Sequence, residues 1–158
     1  MNTDFLYHLD DTCRHNLVLV KSDSDSLKDS INQLNSVGVN TVNIGRELAE
    51  KIKTLESLKF LTIESQEYLH ELIEKQAVQI VPGKPKVVAI YNIGILLEPT
   101  LSLNASNLIK EFSKNVTIIV LWDHINDDGL LHWGVQQEKY HLNLSDIYIA
   151  EGSAEYEV

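Results

Sequence analysis

Apolar and polar positions follow two periods along this chain, and the switches between them mark its elements. Leu17–Val20 is a continuous apolar run, the pattern of a strand covered on both faces of a parallel sheet. Before it, residues 2–14 (NTDFLYHLDDTCR) place Phe5, Leu6 and Leu9 on one face of a short helix. After it, Leu27, Ile31 and Leu34 recur at helical spacing, which predicts a helix over 26–36 closed by Gly38. VNTVNI (39–44) alternates as a second strand, and Gly45 opens a helix over 46–54. Leu69, Leu72 and Ile73 predict a helix over 65–75. VPGKP (81–85) is the one Pro/Gly turn cluster, and KVVAIYNIGIL (86–96) is the most hydrophobic strand. A helix over 105–114 uses Leu108, Ile109 and Phe112, and VTIIVLW (116–122) is another buried strand. NDDG (126–129) turns into LLHWGV, which reads as a hairpin, and SDIYIA (145–150) is a last strand.

Strands separated by helices predict an α/β three-layer sandwich with a mostly parallel sheet. There is no repeat, low-complexity tract or linker, so residues 1–150 form one domain and the acidic tail 151–158 (EGSAEYEV) is expected to fray.

Charge narrows the partners. Thirteen basic against twenty-three acidic residues give a net charge of −10, which repels a phosphate backbone and disfavours direct nucleic-acid binding. A basic protein, or a protein that itself holds DNA, suits the charge, although many soluble proteins are simply acidic. The lone Cys13 rules out an internal disulfide and suits a reducing compartment. Asp4, Asp10 and Asp11 interrupt the N-terminus and no apolar run approaches bilayer length, so a cytoplasmic protein without membrane contact is expected.

The strand-to-helix junction VLVKSDSDSLKDS (18–30) is where many α/β proteins hold a nucleotide phosphate. Such a loop needs glycines to wrap backbone N–H groups around the phosphates, a lysine for the β/γ oxygens and a hydroxyl for magnesium. Laid over the junction, G-x-x-x-x-G-K-[ST] meets Lys21, Ser26, Leu27 and Lys28, or one residue on, Ser22, Leu27, Lys28 and Asp29. Neither register supplies a glycine. Asp23 and Asp25 would also lie beside the phosphates, where like charges ~4 Å apart cost about 1 kcal/mol in water and ~4 near a protein surface. Ser26 with Asp29 three residues on is instead a capping-box pattern. The strand that would carry a magnesium-binding acid ends in Tyr91 and Asn92, with Glu98 too far along to replace it.

YNIGILLEPTLSLNASNLIKEFSKNVTIIVLW, followed by DGLLHW and EKYHLNLSDIYI, resembles the C-terminal half of BrxF, the small P-loop-containing protein of one class of BREX phage-defence systems. The chain keeps Asn92, Ile93, Ile95, Leu96, Pro99 and Leu101 of that pattern, then Ser113, Asn115, Thr117, Trp122, Asp128, Gly129 and Leu131; VNIGREL (42–48) is similar to a further segment. The resemblance covers about two thirds of the chain. It implies a P-loop NTPase type of five-stranded sheet, order 5-1-4-3-2, and a role in bacterial defence. The family's Walker B aspartate falls on Tyr91, its glutamate on Gly94 and an arginine on Val116, so no catalytic residue carries across.

Asp123, His124, Asp127, Asp128 and His132 gather around the hairpin, but their spacing fits no zinc motif and a polar turn explains them. No metal or cofactor is expected. Trp122, Trp133 and Tyr140 are candidate partner contacts, with core packing as the plainer explanation. The reading is then a non-catalytic adaptor or regulatory subunit with degenerate Walker motifs. Its partner would be a larger ATPase or DNA-acting subunit of the same defence system, or a second copy of the chain. The alternatives are a weak NTPase using Lys21 or Lys28, and an acidic decoy that competes with DNA on its partner.

Overall fold

The computed structural model describes residues 3–8, 17–22, 25–122, 130–132, 141–143 and 149–153. Its strands are β1 (Leu17–Lys21), β2 (Thr41–Asn43), β3 (Val87–Tyr91), β4 (Thr117–Trp122), β5 (Leu130–His132), β6 (His141–Asn143) and β7 (Ile149–Ser153). The helices are α1 (Leu27–Ser36), α2 (Ile44–Lys53), α3 (Leu61–Gln76) and α4 (Ala105–Phe112). The α/β class and parallel sheet predicted by the pattern are present. Strands β2, β3, β4 and β1 lie side by side in that order, all parallel, and β7 pairs in parallel on the outer edge of β1. The edge place expected for the fifth strand in the chain is thus taken by the seventh. β5 instead pairs antiparallel with β6 in a separate two-stranded sheet, joining Leu130 to Asn143 and His132 to His141. The NDDG turn lies outside the described residues.

Side chains alternate across the central strands, as a pleated sheet requires. Val18, Val20, Ile119 and Leu121 face Leu34 of α1 and Leu6, with Leu27 and Ile31 packed against them. Leu17, Leu19, Ile118 and Val120 face the other way, toward Leu48 of α2, Leu69 and Ile73 of α3, and Ile109 and Phe112 of α4. Helices therefore cover both faces, which explains why β1 and β4 read as unbroken apolar runs.

Helix α1 ends as Gly38 predicts. Gly38 has φ +95°, its N–H donates to Asn35 O and the Val39 N–H donates to Leu34 O, both near 3 Å. Those two bonds form a Schellman motif, and the buried Leu34 and Val39 give it the usual apolar contact.

Five sequence expectations need correction. The N-terminal helix is a 3-10 turn at Asp4–His8, and residues 9–14 lie outside the described residues. The third strand stops at Tyr91 rather than 96, because Asn92 turns left-handed (φ 54°, ψ 49°) and Ile93–Leu97 winds into a 3-10 helix. Helix α2 begins at Ile44 with Asn43 as its cap, so Gly45 lies inside it. Helix α3 begins at Leu61, one turn early, where the Thr62 hydroxyl donates to Leu101 O at 2.7 Å and anchors the added turn. The last strand runs through Glu151–Ser153, the start of the stretch read as a tail. Among the described residues, no helix is long and apolar enough to cross a membrane.

Candidate functional site

The C-terminal ends of the parallel strands form the edge where open α/β sheets place ligands. Two corners of that edge are closed by the chain's own side chains.

At the first corner β1 ends on Lys21, and the Ser22 N–H donates to Trp122 O at 2.9 Å, tying the exits of β1 and β4 together. The Ser22 side chain turns inward and is buried. Its hydroxyl lies 3.1 Å from the buried Ser30 hydroxyl, eight residues on in α1. The first turn of α1 is therefore clamped directly to the end of the strand. Ser26 does not cap the helix through its hydroxyl: its backbone is already helical (φ −92°, ψ −14°), whereas a capping residue needs an extended ψ to aim its oxygen back at the N2 and N3 amides. The Ser30 N–H donates to Ser26 O at 2.9 Å as an ordinary first helical bond. Lys28 and Asp29 follow on the exposed side of that turn. Lys28 is thus not drawn into the corner, and the hydroxyl nearest the strand end is engaged with the helix.

The second corner is built from residues that the sequence reading did not single out as a site. Asn43, the last residue of β2, caps α2, its Oδ1 accepting the Arg46 N–H at 3.0 Å. The same oxygen accepts the Asn92 side-chain amide at 2.8 Å. In return the Gly45 N–H donates to Asn92 O at 3.0 Å. Two chain segments 49 residues apart are thereby latched across the ends of β2 and β3. Asn is the common non-glycine residue in the left-handed region. Gly45 is required for a separate reason, since a Cβ there would lie 2.3 Å from Asn92 Nδ2 and 3.1 Å from Asn92 O. Asn after an apolar run, with a glycine two residues on, was a legible signal for the turn; the partnership with Asn43 was not, because it is tertiary.

The latch sits at the end of β3, next to the two positions, Tyr91 and Gly94, on which the resemblance would place acids. Tyr91 is half-buried and packs with the cluster beneath α1, and Gly94 is buried in the 3-10 turn with no side chain to offer. Trp122 is half-buried against the cluster on the opposite face. Trp133 and Tyr140 lie outside the described residues, as do Asp123, His124, Asp127 and Asp128. Among the described residues no group of three His, Cys, Asp or Glu side chains is placed to hold a metal ion.

A third feature lies away from this edge, between α2 and α3. The Tyr68 hydroxyl donates to Glu47 Oε2 at 3.3 Å, and the Lys51 ammonium sits 5.6 Å from the centre of its ring. Burial, then the Glu47 and Glu50 carboxylates, hold the Tyr68 phenol above its ordinary value of 10.0. Beside it is an open cavity of about 290 Å³ lined by Lys51, Glu64, Glu67, Tyr68 and Glu71. Comparison with protein-family models, with curated proteins and with solved structures returned no match.

Proposed function

We propose that this chain has a P-loop NTPase type of fold from which the nucleotide chemistry has been lost. It acts as a non-catalytic adaptor or regulatory subunit of a cytoplasmic anti-phage defence complex, bound to a larger ATPase or DNA-acting subunit as an inactive member of a ring or dimer. The observation that carries the reading is the closure of both corners by the chain's own groups. Ser22 engages Ser30 where a phosphate loop would open, and the Asn43–Asn92 bond spans the place where an acid and its magnesium would stand. The order β2-β3-β4-β1, with β7 beyond β1, supports the fold type, and the resemblance of residues 91–131 to BrxF supports the defence role. A net charge of −10 supports a basic protein surface as the partner.

Calorimetric titration with ATP, ADP and a non-hydrolysable analogue in the presence of magnesium tests it. The expected result is no binding heat and no shift in melting temperature at millimolar nucleotide. Micromolar binding, or hydrolysis that disappears in Lys28→Ala, would return the protein to the nucleotide-dependent enzymes.

A further inference from the structure

Helix α3 presents two kinds of side chain on its outward face. Leu69 and Ile73 point into the core. On the opposite face, at helical spacing, run Phe60, Ile63, Glu64, Glu67, Glu71 and Glu74. Phe60 and Ile63 are 54% and 55% exposed, and Leu58 just before them is 64% exposed. Three large apolar side chains within six residues thus stand in water at one end of the helix. The Lys59 ammonium lies 5.4 Å from the Phe60 ring, which still leaves the residue more than half exposed. From there the carboxylates continue for about 15 Å along the axis, at 1.5 Å per residue.

These glutamates are a liability for the isolated chain, because like charges three and four residues apart on a helix repel. Among the described residues no ion pair engages Glu64, Glu67 or Glu71; Lys51, beside them in the cavity, lies over Tyr68. Glu74 pairs with His70 at 3.1 Å. A partner that covers the apolar end and neutralises the acidic stripe would relieve both penalties together.

We propose that this face of α3, with the α2–α3 connection, is the docking surface for a basic amphipathic helix of a protein partner. Apolar residues of that helix seat on Leu58, Phe60 and Ile63, and its lysines or arginines run along Glu64, Glu67 and Glu71. The inference deepens the adaptor reading and rests on it for the partner's being a protein. Phe60 to Glu74 spans about 21 Å, so a helix of about four turns matches the surface.

The probe is a synthetic leucine-lysine amphipathic helix about four turns long, titrated by fluorescence anisotropy and by amide chemical shifts. Shifts confined to residues 56–75 are expected. Phe60→Ser with Ile63→Ser, both exposed and outside the core, should weaken binding about tenfold, and Glu67→Gln with Glu71→Gln should flatten its salt dependence. Equal binding of a scrambled peptide of the same composition would reduce the surface to general charge attraction and overturn the proposal, as would shifts at the strand ends. Uptake by zwitterionic lipid vesicles that is lost with Phe60→Ser and Ile63→Ser would overturn it in favour of a membrane contact. The nucleotide titration separates the two readings. Peptide binding together with micromolar ATP binding would leave the surface standing and remove the non-catalytic role; neither peptide nor nucleotide binding would do the reverse.

Discussion

The β1–α1 corner and the β2–β3 corner lie on one edge of the same sheet, yet they are closed by different means. At the first, two small hydroxyls meet at 3.1 Å, and either can serve as donor. At the second, one carboxamide oxygen accepts two N–H groups while its partner Asn92 holds a left-handed backbone and packs against a glycine with no room for a methyl. The hydroxyl pair asks little of the backbone. The amide latch is tied to backbone geometry at three positions, so damage to any one is felt at the others. A strand end can therefore be shut with little sequence specificity or with a great deal, and this chain does both.

Substitutions should separate the two corners in a fixed order. The largest effect is expected for Gly45→Ala, whose methyl displaces the Asn92 side chain and crowds its carbonyl; about 2–3 kcal/mol of stability should be lost in urea unfolding. Adding Asn92→Gly should recover much of that loss, since glycine accepts φ 54° and removes the obstructing amide. A double mutant no more stable than Gly45→Ala alone would show that the clash is not with the Asn92 side chain. Next in size is Asn43→Ala, which removes a helix cap and orphans the Asn92 amide, and should cost about 1–2 kcal/mol. At the other corner Ser22→Ala should cost about 1 kcal/mol by leaving the buried Ser30 hydroxyl alone, while Ser22→Ala with Ser30→Ala should come back close to neutral. A double mutant that instead sums the two losses would make the hydroxyl corner as demanding as the latch.

The smallest effect concerns neither corner and appears only in alkali. Tyr68 is held neutral in the fold above its ordinary value of 10.0, so the folded state keeps its proton longer than the unfolded chain. Stability from this phenol is therefore complete below pH 10 and declines as pH rises toward the folded value. Tyr68→Phe should remove that part of the alkaline decline and leave neutral-pH stability within about 1 kcal/mol. An unchanged alkaline slope in Tyr68→Phe would assign the decline to other groups.

Much of the architecture was legible because burial on two faces writes itself into sequence. Leu17–Val20 and Ile118–Leu121 are apolar throughout, as strands of a sheet covered by helices on both sides are. The helix faces were legible for the matching reason, with Leu34, Leu69, Ile73 and Ile109 all buried at the expected spacing. Boundaries were less legible where a single backbone dihedral decided them. The apolar residues on both sides of Asn92 carried β3 past Tyr91, although Asn92 with Gly94 two residues on marks a turn; the left-handed Asn92 backbone is what ends the strand. Ser26 and Asp29 matched a capping pattern in type and spacing, but Ser26 has helical backbone geometry. At the candidate site the absence of glycine and acid was plain from the sequence. What fills their places, Ser30 for Ser22 and Asn43 for Asn92, depends on contacts between segments and was not.

The place of β1 in the sheet bears on how the chain acquires its structure. Leu17 pairs with Ile118 on one side and with Ile149 on the other, so each partner strand of β1 comes about one hundred residues or more later in the sequence. β2, β3 and the helices between them are contiguous, whereas β1 has no strand to pair with until β4 has left the ribosome. Through most of synthesis Leu17–Val20 is then an apolar, β-prone segment with both edges open, and closing the sheet requires a long loop to be drawn shut late. Closing this sheet is accordingly slowed by the wait for the partners of its own central strand, an interval in which that strand stays open to pairing with other chains.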